Sequence, residues 1–153
     1  MPSAIRIRFV TGNDLISNAI RAGERDGWVT HVEAVAPGGC LIGAHFDGGV
    51  QARPPGYDRS SMSRELFVDL ECENPDAFHS FLNAQIGKPY DLAAVVGYGL
   101  ARDWRKSDAW FCSELIAAAL EECGYLPRLS APDYHISPRD LLLVLSGRIA
   151  IQS

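Results

Sequence analysis

The chain lacks most of the features that make a function legible at a glance. It has no basic cluster: fourteen Lys and Arg stand against nineteen Asp and Glu, a formal charge of −5. Binding driven by phosphate neutralisation needs positive charge, so no nucleic-acid partner is expected. No apolar run approaches the length of a membrane span; "DLAAVVGYGLA" and "DLLLVL" are the longest and are core-sized. The opening "MPSAIRIRFVTGND" has no apolar h-region, so no signal peptide is read there. The expected location is the cytoplasm, or release or phage association by a route that the chain does not encode. Its four cysteines contain no C-x-x-C pair, which excludes the common zinc spacings, and a domain of this size needs no disulfide staples. They are read as reduced thiols, three of them as small buried hydrophobes. "TGND" and "DGG" lack the spacing of a phosphate loop, and the acidic residues near Cys72 form no calcium loop. Repeats, low-complexity runs and linkers are absent, which leaves one domain over residues 1–153.

What is present divides into two grammars. The first half alternates. "AIRIRFV" predicts a strand with Ile5, Ile7 and Phe9 inward, and "NDLISNAIRAGE" has helical spacing. "DGWVTHVEAVAPGG" predicts a second strand, and "CLIGAHF" its hairpin partner, with Asp47 continuing the same strand. "DGGVQARPPGYD" predicts a further extended piece, and "RELFVDLEC" a strand with Leu66, Val68 and Leu70 on one side. Helical signals dominate the second half. "NPDAFHSFLNAQIG" carries an Asn74 cap, Pro75 at the first helical position and Gly87 as the stop, with Phe78, Phe81, Leu82 and Gln85 as its inner stripe. "KPYDLAAVVGYGL" predicts a second helix, and "WFCSELIAAALEECG" a third that ends at Gly124. "SPRDLLLVL" predicts a helical turn after a Ser137 cap, then "GRIAIQS" a terminal strand. Strands first and helices second make an α+β domain.

Cys112 has two readings. It shares a helical stripe with Ile116, Ala119, Leu120 and Cys123, as a small core residue would. Ser107 and Asp108, however, can cap this helix and so place Cys112 near its opening turns. Unpaired N–H groups there favour a thiolate and could donate to an oxyanion beside the sulfur. A working thiolate needs an imidazole. His79 sits on a helix edge beside Ser80 and reads as solvated; His135 lies in a loop; His45 is near a hairpin end. His31 interrupts an apolar strand and shares a face with Val29, Glu33 and Val35, where a core role and a catalytic role are equally open.

"THVEAV", "GKPYD" and "WFCSEL", in that order, resemble the circularly permuted NlpC-type papain-like cysteine hydrolases, which include the YiiX-like proteins and the lecithin:retinol acyltransferase group. In the ordinary papain order the cysteine helix precedes the histidine strand; here the histidine leads. The resemblance implies a papain-like α+β fold: an antiparallel sheet packed against helices, with the catalytic cysteine at a helix N-terminus. It implies Cys112 as nucleophile, His31 as general base, and Tyr90, of the Pro-Tyr motif, lining the substrate cleft. Glu33 and Ser113 are expected beside the substrate. The third member usually comes from the strand after the histidine; His45 is chosen, with Asp47 and Glu33 open.

A Cys–His pair with an orienting third group is what acyl transfer requires. The expected activity is therefore a cysteine amidohydrolase or peptidase working through a thioacyl-enzyme, on peptidoglycan-type or other peptide amide bonds. Alternatives are a lipid-directed acyl hydrolase or acyltransferase of the same fold, or a non-catalytic binding or assembly module. The expected partner is a peptide or acyl-amide substrate, and the chemistry calls for neither metal nor organic cofactor.

Overall fold

In a computed structural model of the chain, the described residues are 3–13, 17, 18, 20, 28–91, 109–128 and 136–152, with side chains described as far as 146. Five strands come first: β1 (Ser3–Gly12), β2 (His31–Val35), β3 (Leu41–His45), β4 (Gly49–Arg53) and β5 (Met62–Cys72). Among the described residues, three helices with defined bounds follow: α1 (Pro75–Gln85), α2 (Cys112–Glu122) and α3 (Pro138–Gln152). The strands form a single antiparallel sheet in the order β4-β3-β2-β1-β5.

The alternation in β1 sets the two faces of this sheet. Ile7 pairs with Ala34 and Phe9 with Val32, and Ala34 pairs in turn with Ile42. These side chains are all buried and belong to one core with Phe78 and Leu82 of α1 and Leu115, Ile116 and Leu120 of α2. Residues of the other parity fall on the opposite face: Arg8 faces Glu33 across the β1–β2 ladder, and Gly43 and His45 follow on β3. A polar site is thus assembled on the sheet, one residue away at every step from the apolar core. On β5, Val68 and Leu70 are buried as expected, but Leu66 is 41% exposed, because β5 is an edge strand.

The caps of α1 match the sequence signals. Asn74 is the N-cap and its side chain accepts a hydrogen bond from the Ala77 N–H at 3.2 Å, Pro75 opens the helix, and Gly87 follows it with a φ of 98°. Phe78, Leu82 and Gln85 are buried. Asn74→Ala is expected to lower unfolding stability by about 1 kcal/mol, the usual cost of losing a cap; urea denaturation checks it, and an unchanged midpoint would show the cap to be idle.

Helix α2 begins later than the Ser107 and Asp108 signals suggested. Phe111 is its N-cap, with extended backbone and no side-chain cap hydrogen bond, and Cys112 is its first residue; Ser107 and Asp108 lie outside the described residues. Every residue from Cys112 to Leu120 is buried. A helix surrounded on all sides needs little side-chain capping, because packing supplies its stability. Gly124 follows its end with a φ of 76°.

The terminal segment is a correction. "GRIAIQS" was expected as a strand, yet α3 runs on to Gln152. Its start is a reciprocal cap: the Ser137 hydroxyl accepts from the Asp140 N–H at 3.0 Å, and the Asp140 carboxylate accepts from the Ser137 N–H at 3.1 Å. Once nucleated, the helix propagates at one hydrogen bond per residue, whereas an Ile–Ala–Ile alternation needs a neighbouring ladder to become a strand. Leu141 and Leu145, one turn apart, face the core.

Other expectations are only partly covered. Ser17, Asn18 and Ile20 are helical, in keeping with the helix read there, and the rest of that segment lies outside the described residues. Most of "KPYDLAAVVGYGL" does so as well; its opening, residues 88–91, is not helical, and Tyr90 forms a parallel bridge with Trp110. Among the described residues no helix is long and apolar enough to cross a membrane.

Candidate active site

The site is built around one carboxylate. Glu33 is completely buried at the middle of β2, where an unpaired charge would be prohibitively costly. Both of its oxygens are engaged. Its Oε1 accepts from the Arg8 guanidinium at 2.6 Å; its Oε2 accepts from the Tyr57 hydroxyl at 3.0 Å and lies 3.2 Å from His31 Nε2. Arg8 is itself 3% exposed and reaches two more carboxylates, Asp58 at 3.0 Å and Glu65 at 2.8 Å. Burial would raise the Glu33 carboxyl, but the hydrogen bond and charge of His31, the hydrogen bond of Arg8 and the nearby His45 hold it down at about 2. Burial together with the carboxylates of Glu33 and Asp58 pushes the Tyr57 hydroxyl upward, so it stays a donor.

His31 opens β2 and Cys112 opens α2, and α2 packs against β2 and β3. The imidazole consequently has two partners, the Cys112 side chain and the Glu33 carboxylate. Burial opposes its charged form, but hydrogen bonds with Cys112 and Glu33, reinforced by their charges, push the imidazolium up to about 10. His45, at the end of β3, lies beside it: the two rings are 4.8 Å apart, and His45 Nε2 is 3.6 Å from the same Glu33 oxygen. Burial, then the positive charge of His31, drives His45 down to about 3 against the attraction of Glu33, so this ring is neutral. Gly43 between them is required. A Cβ there would stand 2.9 Å from Glu33 Cβ and 3.5 Å from His31 Nε2.

A pocket of about 440 Å³ opens over this cluster, lined among others by His31, His45, Phe46, Arg53, Tyr57 and Tyr90. Cys112 lies behind the imidazole, 1% exposed and outside the pocket lining. Tyr90 is held at the rim from both sides. The Asp91 N–H donates to the Trp110 carbonyl and the Trp110 N–H to the Pro89 carbonyl, while the Val50 N–H donates to the Lys88 carbonyl. Gly49 permits that last approach, since a Cβ at this position would lie 2.3 Å from the Lys88 oxygen.

Of the residues singled out in the sequence, Cys112, His31, Glu33 and His45 come together and Tyr90 joins them at the pocket. Asp47 also lines the pocket but is not on the β3 strand; it lies in the exposed β3–β4 turn, where its backbone carbonyl accepts from Gln51 and Arg53. The Ser113 hydroxyl, fully buried, donates to the Ile136 carbonyl. His79 is half-buried on α1, against Phe78, and His135 lies outside the described residues. Among the cysteines, Cys72 and Cys123 are buried, but Cys40 is exposed after the turn at 37–39, against expectation. Arg8, Gly43, Tyr57 and Asp58 were not anticipated. The one local signal for Arg8 is its position between Ile7 and Phe9, which Arg6 nearly duplicates.

No protein-family model and no curated protein matches the chain. Among solved structures it is similar to that of the metalloprotein yiiX from Escherichia coli O157:H7, with a TM-score of 0.66 and 16% sequence identity over 92% of each chain. The α+β fold, an antiparallel five-stranded sheet with helices against it, is thus YiiX-like.

Proposed function

We propose that the protein is a cysteine hydrolase of the permuted NlpC-type papain-like group, acting on an amide or ester carbonyl through a thioacyl-enzyme. The observation that carries this reading is the imidazole of His31 held between the Cys112 side chain and a buried carboxylate. A thiol beside a charge-supported imidazole is the elementary unit of thiol acyl transfer. Glu33 rather than His45 is the orienting third member, since its oxygen is 3.2 Å from the His31 ring nitrogen and a carboxylate stabilises an imidazolium better than a neutral ring does.

The chemistry follows. His31 takes the proton of Cys112, and the sulfur bonds to the substrate carbonyl carbon. The oxyanion that forms meets the N–H groups of Cys112 and Ser113 at the start of α2, which have no partner within the helix. The carbon–nitrogen or carbon–oxygen bond then breaks as His31 returns the proton to the leaving group. Water or another acceptor, deprotonated by His31, attacks the thioester and releases Cys112. Because the sulfur lies behind the pocket lining, the reacting carbonyl must pass beside His31 to reach it.

The rim of the pocket supports a peptide. Arg53 stacks on the Tyr57 ring at 4.9 Å and can meet a substrate carboxylate. The second reading, a lipid acyl group, draws on Val10, Ile20, Phe46 and Met62 in the same lining. Incubation with muropeptides and, separately, with acyl-phospholipids, followed by mass spectrometry, tests both. Peptide cleavage with an acyl mass trapped on Cys112, absent in Cys112→Ala, is expected; deacylated phospholipid alone would transfer the case to the lipid reading. Turnover undiminished in Cys112→Ala would end the thiol mechanism. The yiiX protein is described as a metalloprotein. In this chain the described residues able to hold a cation are His31, Glu33 and His45, and a cation bound there would supply Lewis-acid polarisation.

A further inference from the structure

We infer that His31, Glu33 and His45 form a binding site for a borderline divalent cation such as zinc, and that its occupancy withdraws His31 from thiol chemistry. The site itself stands on its own geometry; only the competition rests on the thiol reading above.

Three observations carry it. First, the donors are of the right kind and spacing. Two imidazoles and a carboxylate suit zinc and its neighbours. The Glu33 oxygen is 3.2 Å from His31 Nε2 and 3.6 Å from His45 Nε2. These values bracket the ligand-to-ligand edge of about 3.4 Å in a tetrahedron with bonds of about 2.1 Å. All three donors lie within 4.8 Å of one another. Second, His45 Nε2 is buried without a hydrogen-bond partner, although its side chain is only 8% exposed and points at Glu33. Buried polar atoms without partners are rare, and a cation is one of the things that explains them. Third, Gly43 leaves open the space beside His31 Nε2 that any side chain would fill.

The surroundings also fit a ligand set. Arg8 holds Glu33 Oε1 and Tyr57 donates to Oε2, which leaves that oxygen one further lone pair. Outer hydrogen bonds of this kind orient metal-bound carboxylates. Both histidines line the pocket, giving an entry path and room for further ligands. A cation on His31 Nε2 would replace the contact with Glu33 and so disengage the orienting carboxylate from the imidazole. The same three side chains can then serve a thiol or a metal, one at a time.

The 153-residue chain, stripped with chelator, is titrated with Zn²⁺ and, in parallel, with Co²⁺. One equivalent is expected to bind, zinc to raise the melting temperature by mass action, and cobalt to show ligand-field absorption without a sulfur-to-metal charge-transfer band. His45→Phe exchanges the unpartnered ring for an apolar one. It is expected to melt as the wild type does in chelator and to bind at least about 100-fold more weakly, exceeding the usual effect of losing an outer-shell partner. Should His45→Phe not fold by circular dichroism, His45→Gln takes its place. No zinc-dependent shift in the wild type, equal binding by the variant, or a thiolate band abolished in Cys112→Ala would each overturn the site. Alkylation of Cys112 is followed in the same samples, with at least about a tenfold slowing by zinc expected on removal of base catalysis. Unslowed alkylation with normal binding overturns the competition alone, and a thiol inert even in chelator fails the thiol reading while leaving the titration standing.

Discussion

Arg8→Met lowers the unfolding free energy by about 3–5 kcal/mol, the usual result of removing one partner from a buried ion pair. The methionine fills much of the aliphatic volume, so the loss is electrostatic. Glu33 keeps His31 and Tyr57 but loses its 2.6 Å guanidinium contact, and Asp58 loses two hydrogen bonds at 3.0 Å. The control lies two residues away. Arg6 makes a comparable bidentate pair with Asp69, at 2.7 and 2.9 Å, but both side chains are about half exposed (54% and 52%). Water competes for those charges, so Arg6→Met is expected to leave the denaturation midpoint nearly unchanged. Urea unfolding of both variants decides it. Equal effects would mean that Glu33 is not held by Arg8 in solution and that the network at the centre of the site is not formed.

The second large effect is on reactivity. In chelator, His31→Ala is expected to slow alkylation of Cys112 by iodoacetamide near neutral pH by about 10²–10⁴-fold, the range that a positioned acid–base group supplies. Glu33→Gln should have a smaller effect of the same sign, because the amide still orients the ring but no longer supports its charge. In hydrolysis of whatever substrate is accepted, Cys112→Ala and His31→Ala should each cost nearly as much as the double variant, since residues that act as a unit are far from additive. Peptide mapping of the alkylated protein keeps the exposed Cys40 out of the measurement. If Cys112 reacts no faster in the wild type than in His31→Ala, its burial is that of an inert core thiol, and the hydrolase reading gives way to a binding module on the same fold.

How far the chain could be read depended on the range of the interaction. The ends of α1 were legible because an asparagine cap, a proline at the first position and a glycine stop act within one turn. The inward residues of β1 were legible from a period of two. The pairing of a cysteine with a distant histidine came from resemblance, and the structure brings the two side chains together. The terminal strand was misread for a local reason: isoleucine alternation resembles a strand, but the reciprocal Ser137–Asp140 cap nucleates a helix upstream of it. Asp47 was misplaced because a turn one residue past β3 is not marked by alternation.

Composition and local pattern alone determined the order of the main elements, strands then helices, whereas the choice of Cys112 and His31 came from the resemblance. Only the tertiary structure decided what holds them. Arg6 and Arg8 have nearly the same neighbours in the sequence, yet the ladder sets Arg8 opposite Glu33 and Arg6 opposite Val35 and Asp69. Strand register, a property of residues far apart along the chain, therefore makes one arginine the keystone of the site and leaves the other in solvent. The same register brings His45 to the carboxylate through Gly43. Short-range rules describe the energy of a turn or a cap; the free energy of a buried charge depends on every group that surrounds it, and those groups are assembled by folding.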